Sequence, residues 1–407
     1  MTSKIKHFKL FFTILLMFFT IGQISSVIYV PALPKITEAF KCTDAIIQWS
    51  VSSFMFGFAI SQFIYGSFSD KYGRRMTLSI GIFIGLAGSV ACMLAYSPSM
   101  LIIGRLVQGF GLGVGGAMGY IVLRDLFAGS ELARYGSILG MAAPLMVGIA
   151  PILGGYLDTF FGWRSIFCFI LLYGLFIWFA VTFLLQETKV IVKGKQMNLK
   201  SVFNDFCMLL SNKIFLGYTL CNIFAYTGFM AFYVLGPYLL AELGITTIAS
   251  GWLIALLDVA IIVGSTINII FVIKFGINKM MFLGITFMII AGVIMLTCDL
   301  LGYINTLEVI LPAFIFALGA VLIMCNAFSG AMTPFPEVSG TAGGLLGGLQ
   351  MLGGAVGCSI VVLFTTLDKE ILLSCIYIIL GIISAIALRM AISAKLKEHN
   401  RINTLNQ

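Results

Sequence analysis

Apolar runs of about 20 residues recur along the whole chain, and they limit its possible folds more than any other feature. A run of about this length can cross the hydrocarbon core of a bilayer as one α-helix. Charged residues make up 10% of the sequence and the mean hydropathy is +1.09. Soluble domains carry about 25% charged residues. We therefore predict an all-α membrane protein with twelve transmembrane helices, near 10–32, 45–67, 76–96, 99–123, 135–158, 163–185, 214–240, 249–273, 279–298, 304–327, 340–363 and 370–392.

The longest polar break, residues 186–213, separates the first six predicted helices from the last six. Two halves of this kind indicate a structure built from a repeated six-helix unit. We predict an N-terminal six-helix bundle over 1–185, a cytoplasmic linker over 186–213 and a C-terminal six-helix bundle over 214–407. A short match supports the repeat, although chance also explains it: Lys-Tyr-Gly at 71–73 and Lys-Phe-Gly at 274–276 both precede the third helix of their half.

The basic residues are distributed unevenly between the two sides that the predicted helices define. Of the 24 lysine and arginine residues, 19 lie on the side of both termini, four lie on the other side, and Arg105 lies inside a helix. Because short cytoplasmic loops collect basic residues, we predict that both termini are cytoplasmic. The net charge of +8 follows from these loops and does not indicate nucleic-acid binding. The first apolar run is long and lacks an A-x-A cleavage site, so we interpret it as an uncleaved helix.

The residue types present exclude several classes of site. The nine cysteines are scattered without a C-x-x-C pair, and the two histidines, His7 and His399, lie near the ends of the sequence. The sequence contains no G-x-x-x-x-G-K-[ST] phosphate-binding loop. We therefore predict that the protein has no metal site, needs no cofactor, does not bind ATP and is not an enzyme.

A polar segment between the second and third predicted helices, GSFSDKYGRR at 66–75, combines charges with glycines. Its basic residues predict a cytoplasmic hairpin loop, and its glycines predict close backbone approach or a positive φ. We predict that one of its two adjacent arginines pairs with an acid at the inner end of helix 4, and that its aspartate caps helix 11. The simpler alternative is a loop that only sets topology. The residues assigned to this conformational latch are Gly66, Asp70, Gly73, Arg74, Arg75 and Asp125.

Two charged residues lie inside predicted helices, Arg105 in helix 4 and Asp258 in helix 8. A charge within a membrane helix is costly, which makes a functional role the default hypothesis. We predict that both take part in proton coupling, because a proton carrier requires a buried carboxyl group that can exchange its proton. Two alternatives stay open. The first is that Arg105 is a structural residue that bonds nearby carbonyl groups. The second is that Asp258 is a protonated acid that never releases its proton.

Helix 5 contains APLMVGIAPILGG at 143–155, where two prolines, Pro144 and Pro151, and the glycine pair Gly154 and Gly155 predict a kinked, closely packed helix. Polar, aromatic and sulfur-containing residues in other helices are candidates for lining a substrate cavity, since methionine and aromatic surfaces adapt to varied apolar ligands. For each of them alone, a packing or lipid-facing role is the simpler alternative. The candidates are Gln23, Tyr29, Gln108, Met141, Asn222, Tyr226 and Asn326.

Seven short motifs together resemble the bicyclomycin-resistance (Bcr/CflA) family of drug:proton antiporters in the major facilitator superfamily. They are YVPALP at 29–34, the segment 66–75, RLVQG at 105–109, Arg-Asp at 124–125, APILGG at 150–155, AMTPFP at 331–336 and GTAGG at 340–344. The resemblance implies a major facilitator fold, a bacterial inner-membrane location and multidrug export driven by a proton gradient. Three positions depart from the family pattern. Val27 replaces an acid of helix 1, Ala150 replaces a glycine of helix 5, and Asp258 stands where relatives carry asparagine.

We therefore expect a monomeric, multi-pass protein of the lipid bilayer that exchanges protons for small, partly apolar compounds and has no nucleic-acid partner. One alternative is a dedicated exporter or importer of a single metabolite, such as a siderophore or an amino-acid derivative. A second alternative is a receptor on the same fold that binds a ligand without transporting it. The hypotheses differ in whether a proton gradient drives ligand flux, and in which ligand moves.

Overall fold

The computed structural model describes residues 8–185, 187–188, 199–303, 305–335, 338–364 and 367–405, and its regular elements are fifteen α-helices and one 3-10 helix. The α-helices are α1 (Phe8–Val27), α2 (Leu33–Phe40), α3 (Asp44–Tyr72), α4 (Arg74–Met93), α5 (Pro98–Leu112), α6 (Val114–Leu126), α7 (Gly129–Phe161), α8 (Arg164–Leu184), α9 (Leu199–Ser211), α10 (Lys213–Glu242), α11 (Thr247–Phe275), α12 (Ile277–Leu300), α13 (Thr306–Met332), α14 (Ser339–Leu363) and α15 (Lys369–Leu405). The 3-10 helix, Val30–Ala32, lies between α1 and α2. The predicted all-helical class is confirmed.

Eleven helical segments of the described residues are long and apolar enough to cross a membrane. They are Leu10–Phe40, Arg74–Met93, Pro98–Leu126, Arg134–Phe161, Arg164–Phe183, Lys213–Glu242, Thr247–Phe275, Ile277–Leu300, Thr306–Met332, Thr341–Leu363 and Lys369–Lys397. We predicted twelve transmembrane helices, and the one that is absent from these eleven segments is α3. That helix has 29 residues, but its apolar character is diluted by buried polar side chains, namely Gln48, Ser50, Ser52, Ser53 and Ser61.

The chain packs as two compact units. The first contains the described residues of 1–197 together with 240–258, and the second contains those of 198–239 and 259–407. The division therefore passes through α10 and α11 as well as through the segment between α8 and α9. The predicted linker 186–213 is partly helical, since it contains α9.

The first predicted helix, 10–32, is interrupted. α1 ends at Val27, and the chain continues through the 3-10 helix into α2. Pro31 and Pro34 explain the interruption, because proline has no amide hydrogen to continue the helical ladder but fits the first turn of a new helix. The last carbonyl groups of α1 therefore depend on partners outside their own helix.

The fourth predicted helix, 99–123, is divided at Gly113 into α5 and α6. The side chain of Ser97 caps α5 by accepting the amide of Met100 at 3.3 Å. At the division, the side-chain amide of Gln62 in α3 donates to the carbonyl oxygen of Gly113 at 3.1 Å. This bond satisfies a backbone group that lies inside the protein.

α3 and α5 cross with their backbones in direct contact. A β-carbon added at Gly57 would collide with the carbonyl oxygen of Leu106, and one added at Gly109 would collide with that of Phe54. Within a bilayer no hydrophobic force drives helices together, so such close packing through small residues stabilises the pair. The crossing fixes α5, and with it Arg105, against α3.

α7 is one continuous helix that includes Pro144 and Pro151. Its glycine pair packs in two directions. A β-carbon added at Gly154 would collide with the carbonyl oxygen of Ile28, and one added at Gly155 would lie 2.7 Å from the carbonyl oxygen of Thr247. The pair therefore makes backbone contacts that a larger residue would prevent.

In the second unit, α13 packs closely against both α12 and α15. A β-carbon added at Gly284 would lie 2.6 Å from the carbonyl oxygen of Gly319, and the rings of Phe316 and Tyr377 stack with centroids 3.8 Å apart. The last helix is longer than predicted, because α15 continues beyond residue 392 to Leu405.

Candidate functional site

The turn between α3 and α4 is a single residue, Gly73, and not the longer loop predicted between residues 67 and 76. α3 continues through Gly66 and Asp70 to Tyr72, and α4 begins at Arg74. Gly73 has φ +93°, which side chains rarely allow, so the predicted positive φ is confirmed there. The same prediction is wrong for Gly66. That glycine is helical, and in the described part of the chain a β-carbon added to it would meet no neighbouring packing atom within 4 Å.

Arg74 joins three helices through a guanidinium group that is buried, since the residue is 6% exposed. Its Nε donates to Oδ2 of Asp125 in α6 at 2.7 Å. Its Nη1 donates at 2.7 Å both to Oδ1 of Asp70 and to Oγ of Ser69 in α3. Charge-assisted bonds of this length are among the strongest in proteins. Of the two arginines considered, Arg74 makes the predicted pair with Asp125, whereas the contact of Asp70 with helix 11 stays a prediction.

Arg75 and Glu187 make a second set of contacts that the sequence analysis missed. Arg75 donates through Nη2 to the carbonyl oxygen of Thr182, near the end of α8. The backbone amides of Arg74 and Arg75 donate to the two carboxylate oxygens of Glu187 at 2.9 and 3.1 Å. An indirect signal was present, because α4 opens with basic residues and has no acid in its first turn. A helix of that kind attracts a carboxylate from elsewhere.

Arg105 is fully buried in α5 and is held from two sides. Its Nη1 donates to the carbonyl oxygen of Ser25 at 2.8 Å, and its Nη2 donates to that of Ser26 at 3.4 Å. Both carbonyl groups belong to the last turn of α1, where the negative end of the helix dipole favours a cation. The guanidinium lies between the rings of Tyr29 and Phe54, 4.1 Å from each centroid.

Polar side chains extend this Arg105 cluster. Gln108 accepts from Nη1 of Arg105 at 2.6 Å and donates to Oγ of Ser89 at 2.8 Å. The hydroxyl groups of Tyr29 and Ser50 are 3.0 Å apart. The carbonyl bonds expected of a structural arginine are thus present, and they come from the two residues directly before Val27, where the family pattern has an acid.

Asp258 lies in the first half of α11 and is 3% exposed. Asp258 packs against α7, which contains the fifth predicted helix. The evidence is that a β-carbon added at Gly148 in α7 would lie 3.1 Å from Cβ of Asp258. The same contact continues along both helices, where a β-carbon added at Gly251 would lie 2.5 Å from the carbonyl oxygen of Pro151. Asp258 is therefore one member of a close helix–helix contact in the first unit.

The predicted cavity residues are divided between the two units. Tyr29 and Gln108 belong to the Arg105 cluster, Gln23 is half-buried, and Met141 is 64% exposed on α7. In the second unit the side-chain amide of Asn222 donates to the carbonyl oxygen of Met324 at 3.4 Å, and the hydroxyl group of Tyr226 donates to Sδ of Met351 at 3.3 Å. The Asn326 amide donates to Oδ1 of Asn268 at 2.6 Å.

Comparison with known proteins identifies the family. Residues 11–358 match the profile of the Major Facilitator Superfamily. The multidrug resistance protein D of Escherichia coli strain K12 is 30% identical over 351 residues, which cover 85% of this chain and 86% of that protein. The bicyclomycin resistance protein homolog of Haemophilus influenzae is 28% identical over 334 residues, which cover 82% of this chain and 84% of that protein.

A solved structure shares the fold. The xylose transporter XylE from E. coli, in a partially occluded inward-open conformation, superposes with a TM-score of 0.72 at 14% identity, over 93% of this chain and 96% of that chain. At this identity the likeness concerns the fold alone. The resemblance to the bicyclomycin-resistance family is confirmed by relatives that match across most of the sequence. The chain therefore belongs to the Major Facilitator Superfamily, and it is a multi-pass membrane transporter and not an enzyme.

Proposed function

We propose that this protein is a secondary active exporter of small, partly apolar compounds, which it exchanges for protons by alternating access. The observation that carries the proposal is the 30% identity to a multidrug resistance protein over 85% of the chain. Export is the direction of transport that lowers the concentration of a drug in the cell. No cofactor is required, because the proton gradient supplies the energy.

In the proposed topology α3 also crosses the membrane, between the first and second of the eleven apolar segments, and this brings the number of membrane helices to twelve. Its 29 residues extend about 43 Å at 1.5 Å per residue, which exceeds the thickness of a bilayer core of about 30 Å. Its polar side chains between residues 48 and 61 are buried and so avoid lipid. With α3 included, the proposed six-helix bundles are 1–185 and 214–407, joined by 186–213. The proposed oligomeric state is a monomer. Both termini face the cytoplasm of a bacterial inner membrane, because 19 basic residues lie on that side.

The Arg74 network is the proposed conformational latch. Its guanidinium holds carboxylates of α3 and α6 at the same time, so a rearrangement of these helices has to break charge-assisted bonds of a buried group. Gly73 allows α4 to start directly after α3, which brings Arg74 within reach of Asp70. Arg75 extends the proposed latch to α8 through the carbonyl oxygen of Thr182, and Gly66 is kept in it on its place in the sequence motif alone.

Asp258 is the proposed proton carrier, and Arg105 supplies the fixed positive charge of the coupling machinery. Val27 leaves helix 1 without the acid of the family pattern, so another carboxyl group has to bind the proton. Asp258 is buried beside Gly148 in α7, and movement between α7 and α11 would change its access to water. Pro151, Gly154 and Gly155 keep α7 closely packed in one state of that movement.

The proposed substrate contacts are the polar, aromatic and methionine side chains named from the sequence. Met141 supports this assignment most directly, because its flexible side chain is 64% exposed on the same helix that carries Gly148. The other proposed contacts are Gln23, Tyr29, Gln108, Asn222, Tyr226 and Asn326.

Purified full-length protein in liposomes tests the proposal. Bicyclomycin and ethidium serve as probes of different chemistry, and mass spectrometry measures their amount in the lumen with and without an imposed pH gradient. We expect the gradient to drive accumulation of at least one probe. Asp258→Asn keeps the side-chain shape and removes its titration, so this variant should lose gradient-driven accumulation but retain binding and passive exchange. Asp205→Asn in α9 is the matched control and should accumulate the probe like the wild type.

The outcomes separate the three hypotheses. Binding of a probe without flux in the wild type indicates a receptor. Gradient-driven flux of a component of a cell metabolite extract, with no flux of either probe, indicates a dedicated carrier. Accumulation by Asp258→Asn at the wild-type rate would show that this carboxyl group is structural and that the proton is carried elsewhere.

A further inference from the structure

The start of α4 and the end of α8 are connected in both directions. Backbone amides at the start of α4 donate to Glu187, which follows α8, while the side chain of Arg75 in α4 donates to the carbonyl oxygen of Thr182 in α8. One turn further along α4, Oγ of Ser79 lies 2.7 Å from Oγ1 of Thr182. Each helix end therefore receives bonding groups from the other.

The N-terminus of α4 contains no carboxylate of its own. The first amides of any helix have no acceptor within the helix, and they form the positive end of its dipole. In α4 the N-cap is Gly73, which has no side chain, and the first turn contains no acid. The helix also begins with two arginines, whose charge adds to that of the dipole.

Glu187 supplies what α4 lacks. Its two carboxylate oxygens accept the first two amides of the helix, and its charge offsets the positive end of the dipole. The carboxylate occupies space that a side chain at residue 73 would need, since a β-carbon added at Gly73 would lie 2.7 Å from Oε2 of Glu187. Gly73 and Glu187 thus act together as a cap whose two parts are 114 residues apart in the sequence.

We infer that Glu187 is a positioning residue for the conformational latch. It holds the backbone of Arg74, and this fixes the point from which the Arg74 side chain reaches Asp70 and Asp125. The inference rests on the proposed function of the latch. Glu187 also lies at the start of the segment 186–213 that joins the two halves, so the same contact ties the beginning of that segment to α4.

Hydrogen–deuterium exchange on the purified full-length protein tests the contact without any transport measurement. In Glu187→Ala we expect the amides of Arg74 and Arg75 to exchange about tenfold faster, because a hydrogen bond to a charged group contributes about 1.5 kcal/mol. Glu187→Gln should be intermediate, since it keeps one acceptor oxygen and loses the charge. Glu131→Gln is the control, an exposed glutamate in the first turn of α7, and should leave both amides unchanged. Unchanged exchange in Glu187→Ala would overturn the inference.

A double-mutant cycle tests whether Glu187 acts through Arg74. Glu187→Gln and Asp125→Asn are measured singly and together for the initial rate of probe transport. We expect the combined loss to be smaller than the product of the single losses, with Vmax lowered and KM within about twofold of the wild type. If the loss in the double variant equals the product of the two single losses, Glu187 caps α4 without acting through Arg74, and its positioning role is refuted. A wild type that moves neither probe would contradict the export proposal, whereas the exchange experiment would still decide the Glu187 contact.

Discussion

The α3–α4 turn of the first unit and the α11–α12 turn of the second share a backbone conformation. Gly73 has φ +93° and ψ 162°, and Gly276 has φ +79° and ψ 162°. In both turns the preceding lysine places its ammonium group over the aromatic ring between it and the glycine. The distances to the ring centroid are 5.1 Å for Lys71 on Tyr72 and 5.5 Å for Lys274 on Phe275. The short sequence match therefore corresponds to a repeated turn.

The chemistry around the two glycines differs. Arg74 follows Gly73 and bonds two carboxylates, whereas Ile277 follows Gly276. Three residues before the glycine, Asp70 in the first turn corresponds to Ile273 in the second, which is 91% exposed. The glycine therefore determines the path of the backbone, while the charge network is a separate property of the first half.

The largest contrast between the turns should come from the residue after each glycine. We expect Arg74→Ala to lower probe transport about 100-fold, because removing one partner of a buried ion pair costs about 3 kcal/mol or more. Ile277→Ala, the matched change in the second turn, removes no charge and should lower transport less than about fivefold. Rates are compared at equal amounts of protein in the membrane. Equal losses in the two variants would contradict the distinction between the turns.

An intermediate contrast should come from the glycines themselves. Alanine at either position is strained by about 1–3 kcal/mol, since both have φ far into the positive region. Gly73→Ala should also displace Glu187, whereas in the described residues a β-carbon at Gly276 meets no neighbouring packing atom within 4 Å. We expect both variants to have a lower Tm, and Gly73→Ala alone to lose about tenfold in transport. A comparable transport loss in Gly276→Ala would assign the second turn an equal role.

The smallest effect should follow from a polar contact of the second turn. The hydroxyl group of Tyr218 donates to Oδ1 of Asn278 at 2.7 Å. Tyr218→Phe removes this bond and should lower the free energy of unfolding by about 1 kcal/mol, with transport unchanged. Thermal unfolding and the liposome assay measure the two quantities on the same preparation. A transport defect without loss of stability would show that the second turn also has a functional role.

The two turns also show which features of the structure can be predicted from residue types. The positive φ of Gly73 and the pairing of Arg74 with Asp125 were predictable, because glycine tolerates that conformation and a buried guanidinium needs a carboxylate. The interruption at Pro31 was missed although proline cannot continue the helical ladder. The division at Gly113 was not predictable, since hydropathy reports which residues suit a membrane and not whether a helix is continuous. Glu187 was missed because it and Arg74 are distant in sequence and are brought together only by the packing of α4 on α8.

The crossing of α3 and α5 limits how this protein can evolve. Gly57 and Gly109 face backbone oxygens with no space for even one additional carbon atom, and Arg105 lies one helical turn before Gly109. Functional variants of the protein have to keep both glycines, because any replacement separates the helix that carries Arg105 from its support. Sequence change is thereby directed to side chains with free space around them, of which the exposed Met141 on α7 is an example.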